Sequence, residues 1–434
     1  MNEPVKKGWY KLDNAAKIFP PTSSRSDTRV FRFCCELFED VQEALLQLAL
    51  DMAIEDFPSF ACVLKRGVFW YYLEQSELRP QARKEENPPC STIYLDKKSL
   101  LFEVTWHGRR INLEVYHVLT DGTGAVQFLR ALVLNYLKLA HPEAIGEGAS
   151  FGYDASATQK TSDGFSKYYD RSKKSEMKKN PAAYQLKGAK QEEWRLNVIE
   201  GNVSAGALLA QARKHGATIT AFVAALLMRS IYGEMSVGER SRPVILNIPV
   251  NLRNFFDSKS ARNFFGIVDI SYDFANGSGS LEDIIECAKS CLSERLNEEY
   301  LQARLNKLFG FERNFLIRLV PLAIKNIYMS IAYHRAAREF TASISNLGRI
   351  DMPPEARRYI KLFDLFSSTD TLQIGLCSYE DVMTISFTSP FVSTDIQRGF
   401  FLQLAKLGLS VEICANSLGN LEEETKEAKE KEGN

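Results

Sequence analysis

Between Glu143 and about Trp194 the sequence turns to Ser, Lys, Gly, Asp and Asn, with Lys173-Lys174 and Lys178-Lys179 set in a weakly apolar run. On either side, apolar residues recur at the spacings of strands and helices. A chain of 434 residues exceeds the size at which a single core keeps growing. The polar stretch therefore reads as a long solvated linker or lid between two folded halves. The expected units are an N-terminal one over 1–150, a polar connection over 151–194, a C-terminal one over 195–420, and a charged tail over 421–434, LEEETKEAKEKEGN, which is solvated.

In the first half, strand and helix patterns alternate. Residues 30–37 read as a strand. Asp40 can cap a helix that carries Val41, Leu45, Leu48 and Met52 on one face and ends near Pro58. Residues 62–73 read as two strands turning at Arg66-Gly67, and a second hairpin joins 100–106 to 111–118 through His107-Gly108. In its second strand Ile111, Leu113, Val115 and His117 share one face. After Gly124 the period becomes helical, through Val126, Phe128, Leu129, Leu132, Val133, Tyr136 and Leu137.

The second half predicts a helix capped by Ser204 and ending at His215-Gly216, a buried helix over 220–232, strands at 244–250 and 264–272, and a helix over 281–296. Residues 315–333 are apolar but interrupted by Arg318, Pro321, Lys325 and Asn326. They read as a half-buried helix beside a substrate channel, not as a bilayer span. Strands at 342–346, 372–377 and 382–388 precede a last helix over 394–407. The economical class is α/β (α+β), two halves of mixed sheet flanked by helices.

Lys and Arg number 54, as do Asp and Glu, so the net charge is zero and suggests no nucleic-acid or membrane partner. The eight cysteines form no C-x-x-C pair and, with the five histidines, no metal-ligand spacing. Unpatterned cysteines fit a reducing compartment. The N-terminus lacks the apolar core of a signal peptide, so a cytoplasmic protein is expected.

The stretch VYHVLTDG, Val115 to Gly122, puts His117 at a strand end before a tight turn. A neutral imidazole, with an ordinary pKa near 6.5, suits removal of a hydroxyl proton as the oxygen attacks an activated carbonyl such as a thioester. Asp121 can fix the turn through an arginine elsewhere in the chain, with Gly122 permitting the backbone bend.

These residues resemble the H-x-x-x-D-G signature of the CoA-dependent acyltransferase superfamily, which includes chloramphenicol acetyltransferase, alcohol O-acetyltransferases and peptide-synthetase condensation domains. PVILNIPVNLRNFF, Pro243 to Phe256, looks like the strand that ends in the arginine paired with the motif aspartate, which maps that partner onto Arg253. SISNLGRI, Ser343 to Ile350, resembles the S-N-x-G strand end of the alcohol acetyltransferase and condensation branches. The order matches from about Trp9 to Cys414.

The resemblance implies two chloramphenicol-acetyltransferase-like subdomains with an active-site tunnel at their interface. His117 would be the general base. Asp121, Gly122 and Arg253 would support the motif, and Tyr116, Ser345 and Asn346 would touch substrate. The co-substrate would be acyl-CoA, or an acyl-carrier thioester, and the acceptor a small alcohol or amine; no tightly bound cofactor or metal is implied, and a monomer is plausible. Tyr116 stands where many relatives carry a first histidine, and the D-F-G-W-G motif of the plant branch is absent. A catalytically silent condensation-like module that works with carrier or partner proteins is the alternative reading.

Other matches are weaker. Gly148 to Gly152 fits G-x-S-x-G around Ser150, but without the strand and helix a nucleophile elbow needs. Cys287 and Cys291 read as core, His107 and His141 as exposed, His215 as a helix-end cation, and His334 as having no evident partner.

Overall fold

The computed structural model describes residues 8–92, 98–146, 148–150, 152, 159, 162–170, 181–192, 195–313 and 315–416. The charged tail over 421–434 lies outside them, as does much of 151–194. Among the described residues fifteen strands form three sheets. A small sheet orders β1 (Trp9–Lys11), β4 (Tyr71–Gln75) and β3 (Cys62–Arg66).

The five-stranded sheet runs β12 (Ile360–Ser367), β2 (Val30–Leu37), β7 (Arg110–Tyr116), β6 (Phe102–His107) and β5 (Ala82–Lys84), antiparallel except for its last pair. In the seven-stranded sheet the order is β10 (Phe265–Tyr272), β9 (Val244–Asn251), β11 (Ala342–Arg349), β13 (Gln373–Tyr379), β14 (Val382–Ser389), β8 (Asn197–Ser204) and β15 (Glu412–Ala415). There β11 runs parallel to both neighbours and every other pair is antiparallel. Both large sheets carry helices, so the α/β class with mixed sheets is what the chain adopts.

The helices are α1 (Phe19–Thr22), α2 (Glu43–Asp56), α3 (Gly122–Ala140), α4 (Gly164–Tyr168), α5 (Ala205–Lys214), α6 (Ile219–Glu234), α7 (Leu281–Arg295), α8 (Glu298–Arg313), α9 (Phe315–Leu319), α10 (Leu322–Ala336) and α11 (Asp395–Lys406). One apolar core gathers around the five-stranded sheet with α2 and α3, and a second around the seven-stranded sheet with α6, α7 and α11. No single helix among the described residues is long and apolar enough to cross a membrane; α5 and α6 together pass by length and composition but are bent by 80°.

Strand β2 is buried along its whole length, and its two polar side chains are matched across the ladder. Arg32 lies opposite Glu114 and Glu36 opposite Arg110, giving ion pairs of 2.6 and 3.0 Å. Opposite charges at facing positions fix register as well as satisfy each other. Arg110 also grips Glu200 of β8 with two nitrogens, at 2.6 and 2.7 Å, and so joins the two sheets. The edge strand β12 of the five-stranded sheet is approached so closely by β13 of the other that a Cβ on Gly375 would sit 2.1 Å from the Leu365 carbonyl oxygen. No larger residue fits there.

Three sequence expectations change. Helix α2 buries Leu46, Ala49, Leu50 and Ala53, while Leu48 and Met52 are exposed. Val41 and Leu45 of the expected stripe do pack on the core, and Leu48 and Met52 are left outside. The apolar segment 315–333 is two helices, broken where Pro321 removes a donor and caps α10. Only Leu322 and Lys325 of α10 are buried, and Ile324, Ile327, Tyr328 and Ile331 are exposed. His141 is half-buried and not exposed, stacked on Tyr359 with ring centres 3.9 Å apart.

Candidate active site

His117 is the first residue past β7, and its backbone N–H donates to the Arg29 carbonyl at 2.9 Å. Arg29 holds the left-handed conformation (φ 62°), uncommon for a side-chain-bearing residue. Around the half-buried imidazole stand three phenyl rings. Phe19 stacks on it at 4.4 Å, Phe31 meets it edge-on at 5.0 Å, and Phe265 is tilted at 5.5 Å. This apolar cage disfavours the charged ring. Burial pushes the His117 pKa below its ordinary 6.5, and the Arg29 cation adds to this, while Asp121 and Asn263 oppose it.

The tautomer follows from the neighbouring amide. Asn263 Nδ2 donates to Asp13 Oδ2 at 3.2 Å and to the His117 carbonyl at 3.1 Å. Those two acceptors fix the amide orientation, so Asn263 Oδ1 is the atom that faces His117 Nδ1 at 3.0 Å. An acceptor there requires the proton on Nδ1, and Nε2 keeps its lone pair. Asp13 beyond it is fully buried, and burial raises its carboxyl to about 6 against the pull of Arg262.

Asp121 caps α3, with Oδ1 accepting from the Gly124 N–H at 3.0 Å. Its Oδ2 accepts from Arg253 Nη1 at 2.8 Å and from the Phe264 N–H at 2.7 Å. The structure thus brings Asp121 and Arg253 together across 132 residues. Arg253 also donates to the carbonyls of Ser260 (2.9 Å), Phe264 (3.3 Å) and Arg262. One guanidinium ties the loop after β9 to the motif, and Asn263 of that loop meets His117. Gly122 is not in the left-handed region, and a Cβ there would meet the Leu347 methyl group at 3.1 Å. The steric demand falls instead on Gly124, where a Cβ would lie 2.1 Å from both the Ala261 oxygen and Thr120 Oγ1.

Leu347 carries the end of β11 to the motif. Beside it Asn346 donates to Thr220 Oγ1 at 2.9 Å and accepts from the Gly348 N–H at 2.8 Å, holding a bulge with Gly348 at φ 74°. Ser345 is half-buried on the same strand. Tyr116, expected to touch substrate, is instead fully buried, and its hydroxyl pairs with Ser23 Oγ at 2.9 Å. A cleft of about 750 Å³ opens beside the segment that carries Phe19, with Leu12, Lys17, Trp70, Tyr72, Asp163 and Arg318 on its walls. Ser150 is exposed and outside any helix or strand.

Neither a family model nor a curated protein matches the sequence. Solved structures do match over nearly the whole chain. The trichothecene 15-O-acetyltransferase of Fusarium sporotrichioides aligns with a TM-score of 0.61 at 13% identity, covering 93% of this chain and 95% of its own. The first condensation domain of the calcium-dependent antibiotic synthetase aligns at 0.61 and 15%, covering 96% and 100%. TRI101 of F. sporotrichioides, solved with coenzyme A and T-2, aligns at 0.62 and 12%, covering 94% and 99%. The fold is therefore the one shared by CoA-dependent acyltransferases and condensation domains. Within that fold Asp121 pairs with Arg253, and Asn263, from the loop that Arg253 holds, meets His117 inside the phenyl cage.

Proposed function

We propose that this chain transfers an acyl group from acyl-CoA, or a related thioester, to a hydroxyl or amine acceptor, with His117 as general base. The observation that carries the reading is the Nδ1–H···Oδ1 bond to Asn263, which leaves Nε2 unprotonated in a site whose environment keeps the ring neutral. Nε2 takes the acceptor's proton as its oxygen attacks the thioester carbonyl carbon. The tetrahedral intermediate then expels the thiolate, which takes that proton from the imidazolium and leaves as free thiol. Asp121 and Arg253 hold the loop during both steps, and Ser345 and Asn346 line the acyl side. Tyr116 supports the wall from behind through Ser23.

The acetyltransferase and condensation-domain neighbours support the class of reaction, and the coenzyme A in one of them supports the donor. All eight cysteines are unpaired, which agrees with a cytoplasmic setting. The test is thiol release from acetyl-CoA and longer acyl-CoAs across a panel of alcohols and amines. His117→Ala is expected to lower the rate about 10²–10⁴-fold while unfolding at the same temperature. Equal rates for the two proteins overturn the base assignment. Binding of a carrier protein but of no acyl-CoA would favour the silent condensation-like module.

A further inference from the structure

Helix α10 is inverted relative to an ordinary amphipathic helix. Its buried residues include the cation Lys325, whose ammonium donates to the carbonyls of Phe69 (3.1 Å) and Arg318 (3.2 Å) and sits 3.7 Å above the Trp70 ring. Its exposed residues include Ile324 (46%), Ile327 (62%), Tyr328 (69%) and Ile331 (46%). Their spacing of three, four and seven places them on one stripe. Leu319 extends the stripe at 55% exposed, and the Leu322 N–H bonds the Val68 carbonyl at 2.9 Å, bringing Val68 (73%) and Phe69 (42%) alongside. A contiguous apolar patch of this kind marks an interaction surface.

Charge identifies the partner. From Arg313 to Arg338 the sequence contains four arginines and the buried Lys325 and no Asp or Glu, with Glu312 and Glu339 standing just outside. Arg318, Arg335 and Arg338 are exposed beside the stripe. A helix with an apolar face, flanking arginines and amphipathic aromatics suits the boundary between headgroups and acyl chains of an anionic bilayer. The longer stretches outside the described residues, 171–180 and 417–434, are rich in Lys, Glu and Ser and lack the apolar residues to cover such a face. The overall neutrality of the chain conceals this local cation excess.

We infer that the α10 face, with Val68 and Phe69, docks on a lipid surface bearing anionic headgroups. The cleft walled by Trp70 and Arg318 opens at the border of that patch, and Tyr333 of α10 lies under the Arg29 guanidinium at 4.2 Å, next to the His117 cage. Docked in this way, the chain would draw a membrane-dissolved acceptor or acyl donor toward His117. That consequence rests on the acyl-transfer reading; the docking does not.

The test is co-sedimentation of the full chain with phosphatidylcholine vesicles and with vesicles carrying about 30% phosphatidylserine. The wild type should partition onto the anionic vesicles, less onto the neutral ones, and less as salt is raised. The variant I327E/Y328E should lose roughly tenfold or more of this binding, with an unchanged melting temperature because both positions are exposed. Two results overturn the inference. One is wild-type binding no stronger than the variant's. The other is a wild-type dimer in light scattering that I327E/Y328E converts to monomer without vesicle binding in either protein, which would make the face a contact between two copies. Neither result bears on thiol release, so the two proposals fail separately.

Discussion

His117 and Asp121 stand four residues apart and are held in opposite ways. Asp121 spends both oxygens on three donors from two segments, and its ion pair with Arg253 is almost wholly buried. His117 makes one side-chain bond, through Nδ1, and otherwise meets phenyl rings. The first arrangement leaves no capacity for a substrate; the second leaves one lone pair in a poorly solvated place. The difference suits Asp121 to maintaining the site and His117 to the proton transfer proposed for it, although the motif writes them together.

The largest effect should come from the saturated end. Asp121→Ala or Arg253→Ala strands a buried charge and is expected to cost about 3–5 kcal/mol, read as a lower denaturation midpoint. If either folds with wild-type stability, the comparison breaks. At the reactive end, Asn263→Ala releases the tautomer lock. A fall in kcat of roughly 10–100-fold with little change in KM is expected.

The acid limb of kcat/KM supplies an independent readout. In the wild type it should lie below pH 6.5, since burial lowers His117. In Asn263→Ala it should move lower still, because the bond to Asn263 favours the charged ring. A limb above 6.5 would contradict the cage as the dominant influence. The two motif glycines give the smallest contrast. Gly124→Ala drives a methyl group into a backbone oxygen and should cost about 1–3 kcal/mol. Gly122→Ala meets the end of the Leu347 side chain at 3.1 Å and Phe33 at 3.6 Å and should stay within about 1 kcal/mol; thermal melts distinguish the pair.

What the sequence made legible was local. The motif from His117 to Gly122, the arginine just past β9 and the bulged end of β11 each declare themselves within a few residues. Asn263, Arg29, Phe19 and Phe31 do not, because their importance arises from contacts with a histidine up to 146 residues away. Periodicity also fails where burial is two-sided or shared. Strand β8 reads NVIEGNVS, with Asn, Glu and Gly in place of alternating apolar residues, yet it lies between β14 and β15. In β12 the pattern is interrupted by Asp364, a fully buried carboxyl that accepts from the Leu365 N–H at 2.6 Å and from Ser386. The orientation of α10 escaped for a related reason: composition shows that a helix is apolar, not which side the rest of the chain leaves open.

The position of β12 has a consequence in time. Strand β2 pairs on one side with β7, available early in synthesis, and on the other with β12, which begins at Ile360. Until the ribosome has delivered most of the chain, β2 presents an unpaired edge of eight residues with two Phe and two Cys. Such an edge is a template for the wrong strand. The nascent first half is thus obliged to wait for the second, and any pause in translation before residue 360 lengthens its exposure.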